Sequence, residues 1–175
     1  GDAGAITGSN TKMLQIARQL RQYGWAYKYS IEIPFGRNSR LDELQAAILR
    51  IKLPHVITWN QTRREIYERY QEASGKKIKF FSTPNPSYVG HLCPIVVEGM
   101  TQSQLLEYFE AKSIVASVHF PVPDNRQKID LKYRDLVDVP NSEEGCARLV
   151  TLPLFPEMTD AEINQVCIAL TELGD

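Results

Sequence analysis

Apolar residues recur at helical spacing near the start of the chain. The stripe occupies positions i, i+3, i+4 and i+7: Met13, Ile16, Ala17 and Leu20. Because such positions share one face of a helix, the pattern predicts a short amphipathic helix. Ser9 and Asn10 are candidate N-caps, and Gly24 follows as a stop signal.

A second helical stripe begins after a polar segment. Its first members are again apolar: Leu41, Leu44, Ile48 and Ile51. Ser39 and Asp42 fit the Ser-x-x-Asp form of a capping box, so Ser39 is predicted to start this helix. Past Pro54 the period continues to Gly75. The sequence predicts two consecutive helices, or one long kinked helix, over roughly 41–74, a length suited to a spine between domains.

The rest of the chain combines segments typical of loops, strands and helices. Residues 24–37 combine glycine, proline and aromatics without a period, which predicts an extended, structured loop. From 76 onward, "IKFFST", "LCPIVV", "IVASVHF" and "TLPLF" resemble strands, with Pro94 placing the second at a sheet edge or bulge. Helices are predicted after Thr101, near 142–150 and after Thr159. This order of strands and helices indicates a small α+β domain.

Two capping boxes support those helix starts. Thr101 is followed three residues later by Gln104, and Thr159 by Glu162. In each pair the side chain of the first residue and that of the fourth can bond the other's backbone N–H group. The final helix is predicted to bury one face, formed by four residues: Ile163, Val166, Cys167 and Leu170.

Composition narrows the classes of partner. The 175 residues include 20 Lys+Arg and 21 Asp+Glu, for a net charge of −1. No broad positive field is available to hold nucleic acid or an anionic membrane, and we interpret the lysines at 76, 77 and 79 as a solvated connection. No apolar run is long enough to cross a bilayer. The chain has three cysteines, Cys93, Cys146 and Cys167, and their spacing is not that of metal ligands. We therefore predict reduced thiols in a cytoplasmic protein and no metal site. With no bilayer-spanning run, the protein is expected to be soluble.

The chain opens on a glycine-rich apolar stretch, "GDAGAITG". As a phosphate loop the pattern is weak, because its glycines precede the strand-like "AITG" rather than follow a strand. Natural domains seldom begin this way, so the stretch suggests a piece of a longer protein; a short native terminus is the alternative.

No set of side chains forms an evident catalytic arrangement. The three histidines, His55, His91 and His119, stand on separate elements, and no serine has the context of an activated nucleophile. Asn38 is the exception of interest. It precedes a predicted helix start, where free backbone N–H groups and the helix dipole favour an anion. For Asn38, helix capping and phosphate binding both stay open on these grounds.

Five ordered motifs resemble one enzyme family. They are "LRQYGWAYKY", "NSRLDELQAAIL", "KLPHVITWNQTRREIYERY", "VHFPVPDNRQ" and "TLPLFPEMTDAEINQV". Together they resemble the DegT/DnrJ/StrS family of sugar aminotransferases that depend on pyridoxal phosphate (PLP). The resemblance implies the carboxyl-terminal part of a type I PLP-dependent aminotransferase fold: the end of a large cofactor domain and an intersubunit arm (1–37), spine helices (38–75) and a small domain (76–175).

The resemblance also implies an activity. In this family a Gly-Asp-Gly-Gly-Ala segment lies just after the lysine that binds PLP, and here the segment reads Gly1-Asp2-Ala3-Gly4-Ala5. The lysine is then expected upstream of this chain, which alone should not transaminate. The parent would convert a nucleotide-linked keto sugar into an amino sugar, usually with glutamate as donor.

Family positions give this chain its candidate site residues. The family is homodimeric, and Asn38 is similar to an asparagine that reaches across to the phosphate of the partner's PLP. Residues 24–37 resemble the arm, which makes Lys28, Tyr29 and Arg37 candidates for contact with the nucleotide-sugar. In the small domain the candidates are His119 and Gln127. The family's second histidine is replaced by Asn125, which puts its sugar or nucleotide contact in doubt.

Two alternatives remain open. One is a non-catalytic dimerisation or regulatory module derived from such an enzyme. The other is a family member that acts on a cyclitol or an aminobenzoate precursor. The family fold also implies that residues 1 to about 35 expose an apolar face without the rest of the large domain, including Trp25 and Tyr27, and the chain is then expected to dimerise or swap segments.

Overall fold

The computed structural model describes residues 3–81, 85–127 and 138–174. The chain divides into two compact units, Gly1–His55 and Val56–Asp175. The division of the sequence at 37 and 75 into functional parts stays a prediction.

The first unit begins with helix α1, Thr11–Leu20. Asn10 is its N-cap, as predicted, because the Asn10 Oδ1 accepts a hydrogen bond of 3.1 Å from the Met13 N–H group. No strand is assigned to the described residues before it, so the strand-like reading of "AITG" is wrong. After α1 a hairpin replaces the predicted loop: β1, Trp25–Tyr27, pairs antiparallel with β2, Ser30–Ile31.

Helix α2 of the first unit spans Glu43–Lys52 and starts later than predicted. Its N-cap is Asp42, whose Oδ1 accepts a hydrogen bond of 2.9 Å from the Gln45 N–H group. The predicted start at Ser39 is wrong because the Ser39 N–H group donates to the Arg21 carbonyl, which holds this segment in an extended conformation. A 3-10 turn, Leu53–His55, follows α2 and contains Pro54.

The helices of the first unit keep their apolar stripes exposed. Neither α1 nor α2 has a buried residue; Met13 is 67% exposed and Leu44 is 74% exposed. Tyr27 is exposed as expected. Trp25 is only half-buried, contrary to expectation, because its ring packs between the rings of Tyr23 and Tyr29 at centroid distances of 5.0 and 5.5 Å. Such an apolar surface is typical of a face that another part of a protein covers.

The second unit is an antiparallel sheet packed against helices. Its elements in chain order are α3 (Val56–Ala73), β3 (Ile78–Phe80), β4 (Cys93–Val97), α4 (Gln102–Ala111), α5 (Pro140–Arg148), β5 (Val150–Leu152) and α6 (Asp160–Gly174). The sheet order is β3-β4-β5. Alternate residues of β4 are buried, which is the period-2 pattern of a strand with one face on a core. The α+β expectation for this part is confirmed.

The core of this unit joins side chains from most of its elements. Its largest fully buried members are Tyr67 and Tyr70 of α3, Ile95 of β4, Leu105 and Phe109 of α4, and Leu170 of α6. The Tyr70 hydroxyl donates a hydrogen bond of 3.0 Å to the Pro153 carbonyl, so this buried polar group is satisfied. Cys93 is fully buried in β4, and burial raises the pKa of its thiol.

Pro94 lies in the central strand, so its predicted position at an edge or bulge is wrong. Thr151 of β5 exchanges both backbone hydrogen bonds with Ser117 on its far side. The Pro94–Thr151 pair is therefore a pair without mutual backbone bonds, and the proline nitrogen faces the β3 side. The pairing of β3 with β4 ends at Phe80 and Ile95, so no β3 residue is paired with Pro94 and no ladder bond is lost.

The predicted strand "IVASVHF" is also wrong in the described structure, where it is reduced to the single bridge between Ser117 and Thr151. Both predicted capping boxes of this unit are confirmed. Thr101 and Gln104 bond reciprocally ahead of α4, and Thr159 and Glu162 do so ahead of α6.

The α6 capping box should make stability depend on pH. Hydrogen bonds from Thr159 lower the pKa of Glu162 below the ordinary value of 4.5. The stabilisation is present above the unfolded pKa and is lost as pH falls through the lower folded pKa. We expect Glu162→Gln to retain the capping box, since Gln104 forms one with the same side chain. The melting temperature of this variant should fall less between pH 7 and pH 3 than that of the wild type.

The reverse change, Gln104→Glu, is the matched control and should add acid sensitivity. Hydrogen bonds from Arg126 and Lys112 also lower the pKa values of Glu143 and Glu172, respectively. Part of the loss of stability at low pH will therefore persist in Glu162→Gln. Identical pH profiles for wild type and Glu162→Gln would contradict the prediction.

Candidate functional site

The candidate residues of the second unit border a groove of about 510 Å³. His119 and Gln127 lie on one wall, which is formed by the loop 118–127, and Phe120 and Val122 add apolar surface to it. The opposite wall is α5, which contributes Ser142 and Cys146. The structure therefore brings two of the predicted substrate contacts to one groove.

The imidazole of His119 has one ring nitrogen without a described partner. The side chain is half-buried, and its Nδ1 atom is buried without a hydrogen-bond partner among the residues that the structure describes. The ring of Phe120 packs edge-on against it at 5.6 Å between centroids. A buried polar atom without a hydrogen bond has an uncompensated desolvation cost.

The loop that forms this wall is held partly by its own bonds. A 3-10 turn, Asp124–Arg126, follows Pro123, and the Gln127 N–H group donates to the Asp124 carbonyl at 3.1 Å. The Gln127 Nε2 atom donates to the Val122 carbonyl at 3.2 Å, so its amide is partly committed within the loop.

Asn125 stands where the family pattern has its second histidine, and here it contacts α5. Arg126 Nε lies 2.6 Å from Glu143 Oε1, and Asn125 also hydrogen-bonds the Glu143 side chain. These contacts, with that of Arg126 the larger, lower the pKa of Glu143. Sequence reasoning missed this pair, and its two residues, 17 apart in the chain, show no local signal.

The remaining candidates lie in the first unit. Lys28 and Tyr29 form the tip of the hairpin, where both are exposed, and the Lys28 Nζ atom lies 5.0 Å from the centre of the Tyr29 ring. Arg37 is exposed as well. The described hydrogen bonds and ion pairs leave both cations uncommitted, which suits contact with an anion.

Asn38 is held in position by its backbone neighbours. It forms an antiparallel bridge with Gln22. On either side of it the Arg37 N–H group donates to the Leu20 carbonyl at 2.8 Å, and the Ser39 N–H group donates to the Arg21 carbonyl at 2.9 Å. The carboxamide of Asn38 is exposed and has no hydrogen-bond partner in the described part of the chain. Its amide group is thus free to donate to a phosphate oxygen, which fits the predicted role.

The positive end of helix α2 does not contribute to that role, and this corrects our sequence-based expectation. Asn38 lies four residues before the N-cap rather than next to the first turn. Asp42 and Glu43 already place negative charge at the helix start, where an anion would be repelled. Any phosphate bound by Asn38 is therefore bound through its carboxamide.

Within the ranges given above, no group of His, Cys, Asp and Glu side chains is arranged to hold a metal ion. No described helix has the length and apolar character needed to span a membrane.

Comparison with known proteins identifies the family. Residues 1–171 match the DegT/DnrJ/EryC1/StrS aminotransferase family. Over 98% of its length the chain is 35% identical to a dTDP-3-amino-3,6-dideoxy-alpha-D-galactopyranose transaminase of Aneurinibacillus thermoaerophilus, covering 47% of that protein. It is 28% identical to a "Pleiotropic regulatory protein" of Geobacillus stearothermophilus, again over 98% of the chain and 47% of the relative.

The fold agrees with this match. The crystal structure of DesV from S. venezuelae superposes with a TM-score of 0.77 at 28% identity, covering 95% of this chain and 45% of that one. The chain thus spans about half the length of the curated relatives that it matches. Because the family match covers nearly every residue, this protein belongs to the DegT/DnrJ/EryC1/StrS aminotransferase family.

Proposed function

We propose that this chain is the carboxyl-terminal part of a PLP-dependent aminotransferase that converts a nucleotide-linked keto sugar into an amino sugar, with glutamate as the amino donor. The main support is the family match over residues 1–171, together with a transaminase of a dTDP-linked sugar as a relative. The exposed apolar faces of α1 and α2 also support it, since a cofactor domain would cover them. The whole protein would be a cytoplasmic homodimer.

Each candidate residue has a role under this proposal. PLP, when bound, supplies an electron sink for the transfer of nitrogen. Asn38 would donate its amide N–H to the phosphate of the partner subunit's cofactor. Lys28 and Arg37 would neutralise the diphosphate of the nucleotide-sugar, with Tyr29 beside them.

The groove of the second unit would contact the sugar. His119 would contact a sugar hydroxyl through its imidazole ring, and Gln127 would border the same group. None of these residues transfers the proton, so the 175-residue chain alone should not transaminate.

Removal of the Asn38 carboxamide tests the proposal. In a form of the protein as long as its relatives, we expect transamination of a dTDP-linked or UDP-linked keto sugar with glutamate. Asn38→Ala should raise the dissociation constant for PLP at least about tenfold, because a hydrogen bond to a charged group contributes about 1.5–3 kcal/mol. Equilibrium dialysis with absorbance detection of PLP measures the change.

Two controls complete this experiment. Ser39→Ala changes the neighbouring side chain and should leave PLP affinity unaltered, because only the Ser39 backbone makes a described bond. The 175-residue chain, assayed alongside, should form no stoichiometric pyridoxamine phosphate from PLP and glutamate. An unchanged PLP affinity in Asn38→Ala would refute the role of Asn38, and a long form without transaminase activity would refute the function.

A second candidate function is a non-catalytic dimerisation or regulatory module. It is favoured by one observation, the relative called a pleiotropic regulatory protein. The two candidates predict opposite outcomes for the transamination assay of the long form. A family member that acts on a cyclitol would transaminate in that assay only when a cyclitol ketone replaces the keto sugar.

A further inference from the structure

The two walls of the groove in the second unit are attached to the core in different ways. Helix α5 is anchored at its carboxyl end, where the Gln102 Nε2 atom of α4 donates to the Cys146 and Leu149 carbonyls at 3.1 and 2.7 Å. Strand β5 follows α5 directly and pairs with the central strand. The α5 wall is thus fixed to the core.

The loop wall is joined to the rest of the unit at two described places. At its start, the two backbone hydrogen bonds between Ser117 and Thr151 tie it to the sheet. Farther along the loop, two of its residues contact Glu143 of α5. Arg126 supplies the ion pair, and Asn125 supplies an amide hydrogen bond.

We propose that the Arg126–Glu143 ion pair, assisted by Asn125, sets the width of the groove and thereby positions His119 and Gln127. The pair joins the two walls directly, one partner on each. Arg126 is adjacent to Gln127 in the chain, so a displacement of Arg126 moves that side of the groove. Arg126 and Glu143 are positioning residues: they fix where the groove residues lie. The meaning of that position for a sugar substrate rests on the proposed function.

Cys146 offers a direct measure of groove width. It lines the α5 wall and is half-buried, whereas Cys93 is fully buried. Alkylation of Cys146 by iodoacetamide in the 175-residue chain, followed by peptide mass mapping, reports access to the groove. Cys167, on the distant helix α6 and bonded to the Arg69 carbonyl, serves as an internal reference in the same molecule.

Arg126→Met and Glu143→Gln should each raise the alkylation rate of Cys146 about two- to fivefold, with Cys167 unchanged, because a partly exposed ion pair makes a modest contribution. The direction separates this effect from simple electrostatics. Loss of a nearby cation makes a thiolate less favourable and loss of an anion makes it more favourable, so electrostatics alone would move the two variants in opposite directions.

Arg148 and Glu144 provide a matched control on the same helix. They form an i,i+4 ion pair of 2.8 Å, so Arg148→Met and Glu144→Gln make the same charge changes without touching the loop wall. These two variants should leave the Cys146 rate at the wild-type value. The charge-swapped double variant R126E/E143R should restore it most of the way.

A second measurement reads the position of His119 itself. The imidazole NMR signals of His119 should shift in Arg126→Met and Glu143→Gln and return in the charge swap, a result that a general loss of stability would not produce. Unchanged or oppositely directed Cys146 rates in the two variants would overturn the inference.

The outcome is independent of cofactor and substrate. If a long form of the protein transaminates but the Cys146 alkylation rate does not change in the ion-pair variants, the proposed function is supported and the positioning role is refuted. Altered Cys146 access in a protein whose long form is inactive would do the reverse.

Discussion

Replacing Phe109 with alanine is expected to lower the free energy of unfolding of the second unit by about 3–5 kcal/mol. Phe109 lies on α4 with no exposed surface, in the cluster that includes Tyr67, Ile95 and Leu170. Truncation removes the transfer free energy of the ring and leaves a cavity among side chains from several elements that cannot all relax into it. Urea denaturation monitored by circular dichroism measures the loss.

Val115→Ala is the control for this prediction. Val115 lies in the same unit but is 83% exposed. Its truncation should change the free energy of unfolding by less than about 0.5 kcal/mol. If Phe109→Ala proved as mild as Val115→Ala, the described core would be incorrect.

Replacing Gly24 with alanine should disrupt the hairpin of the first unit. Gly24 has a φ of +74°, and a Cβ atom there would lie 1.9 Å from the Ile33 carbonyl oxygen. The left-handed conformation alone costs a non-glycine residue about 1–2 kcal/mol. The collision adds to that cost because a backbone atom, rather than a flexible side chain, must move. The carbonyl of Gly24 also accepts hydrogen bonds from the Glu32 and Ile33 N–H groups, at 2.9 and 3.1 Å.

Amide hydrogen exchange measures the effect. Exchange at Glu32 and Ile33 should become at least about tenfold faster in Gly24→Ala, since about 1.4 kcal/mol of lost local stability corresponds to a factor of ten. Gly8→Ala is the matched control, because a Cβ atom at Gly8 would meet nothing within 4 Å. Protection at Glu32 and Ile33 that survives Gly24→Ala would show that the hairpin does not depend on this glycine.

The same substitution bears on Asn38. The Tyr23 N–H group donates to the Arg37 carbonyl, next to Gly24, and a Cβ atom at Gly36 would lie 2.0 Å from the Gly24 nitrogen. The segment that orients Asn38 therefore packs directly against the turn that Gly24 forms. In the long form of the protein, Gly24→Ala should weaken PLP binding because it displaces the Asn38 carboxamide, although it removes no polar group from the site.

The capping boxes show when local sequence is sufficient. Thr101–Gln104 and Thr159–Glu162 were predicted correctly because the bonds that define them join residues three apart. Ser39–Asp42 has the same pattern but is not a box, since pairing of Ser39 with Arg21 holds it in an extended segment. A tertiary backbone contact, 18 residues away in sequence, overrides the local preference.

The strands show where burial and pairing decide. The apolar run 114–120 has the composition of a strand, yet it makes one bridge to β5 among the described residues. Pro94 was expected at an edge, but in a central strand it is tolerated wherever its nitrogen faces a position without a ladder partner. Both outcomes depend on how far the neighbouring strands extend, which the sequence of one strand does not encode.

The candidate site was predictable in part. The motif resemblance indicated His119 and Gln127, and the structure places both on one groove. The attachment of their loop through Arg126 and Glu143 was not predictable, because the two residues meet only once α5 has packed beside the loop. The sequence indicated Asn38 through a helix start with free backbone N–H groups, but the structure places that helix start four residues later and pairs the Ser39 N–H group with Arg21. The exposed carboxamide of Asn38 became visible only in the structure.

The buried thiol of Cys93 can report the rate at which the second unit opens. With no exposed surface and a raised pKa, this cysteine can react with a thiol reagent only after the core around it has opened. At high reagent concentration, its labelling rate therefore approaches the rate constant of global opening. Labelling of Cys93 in the wild-type protein would then measure the lifetime of the folded core without an introduced probe.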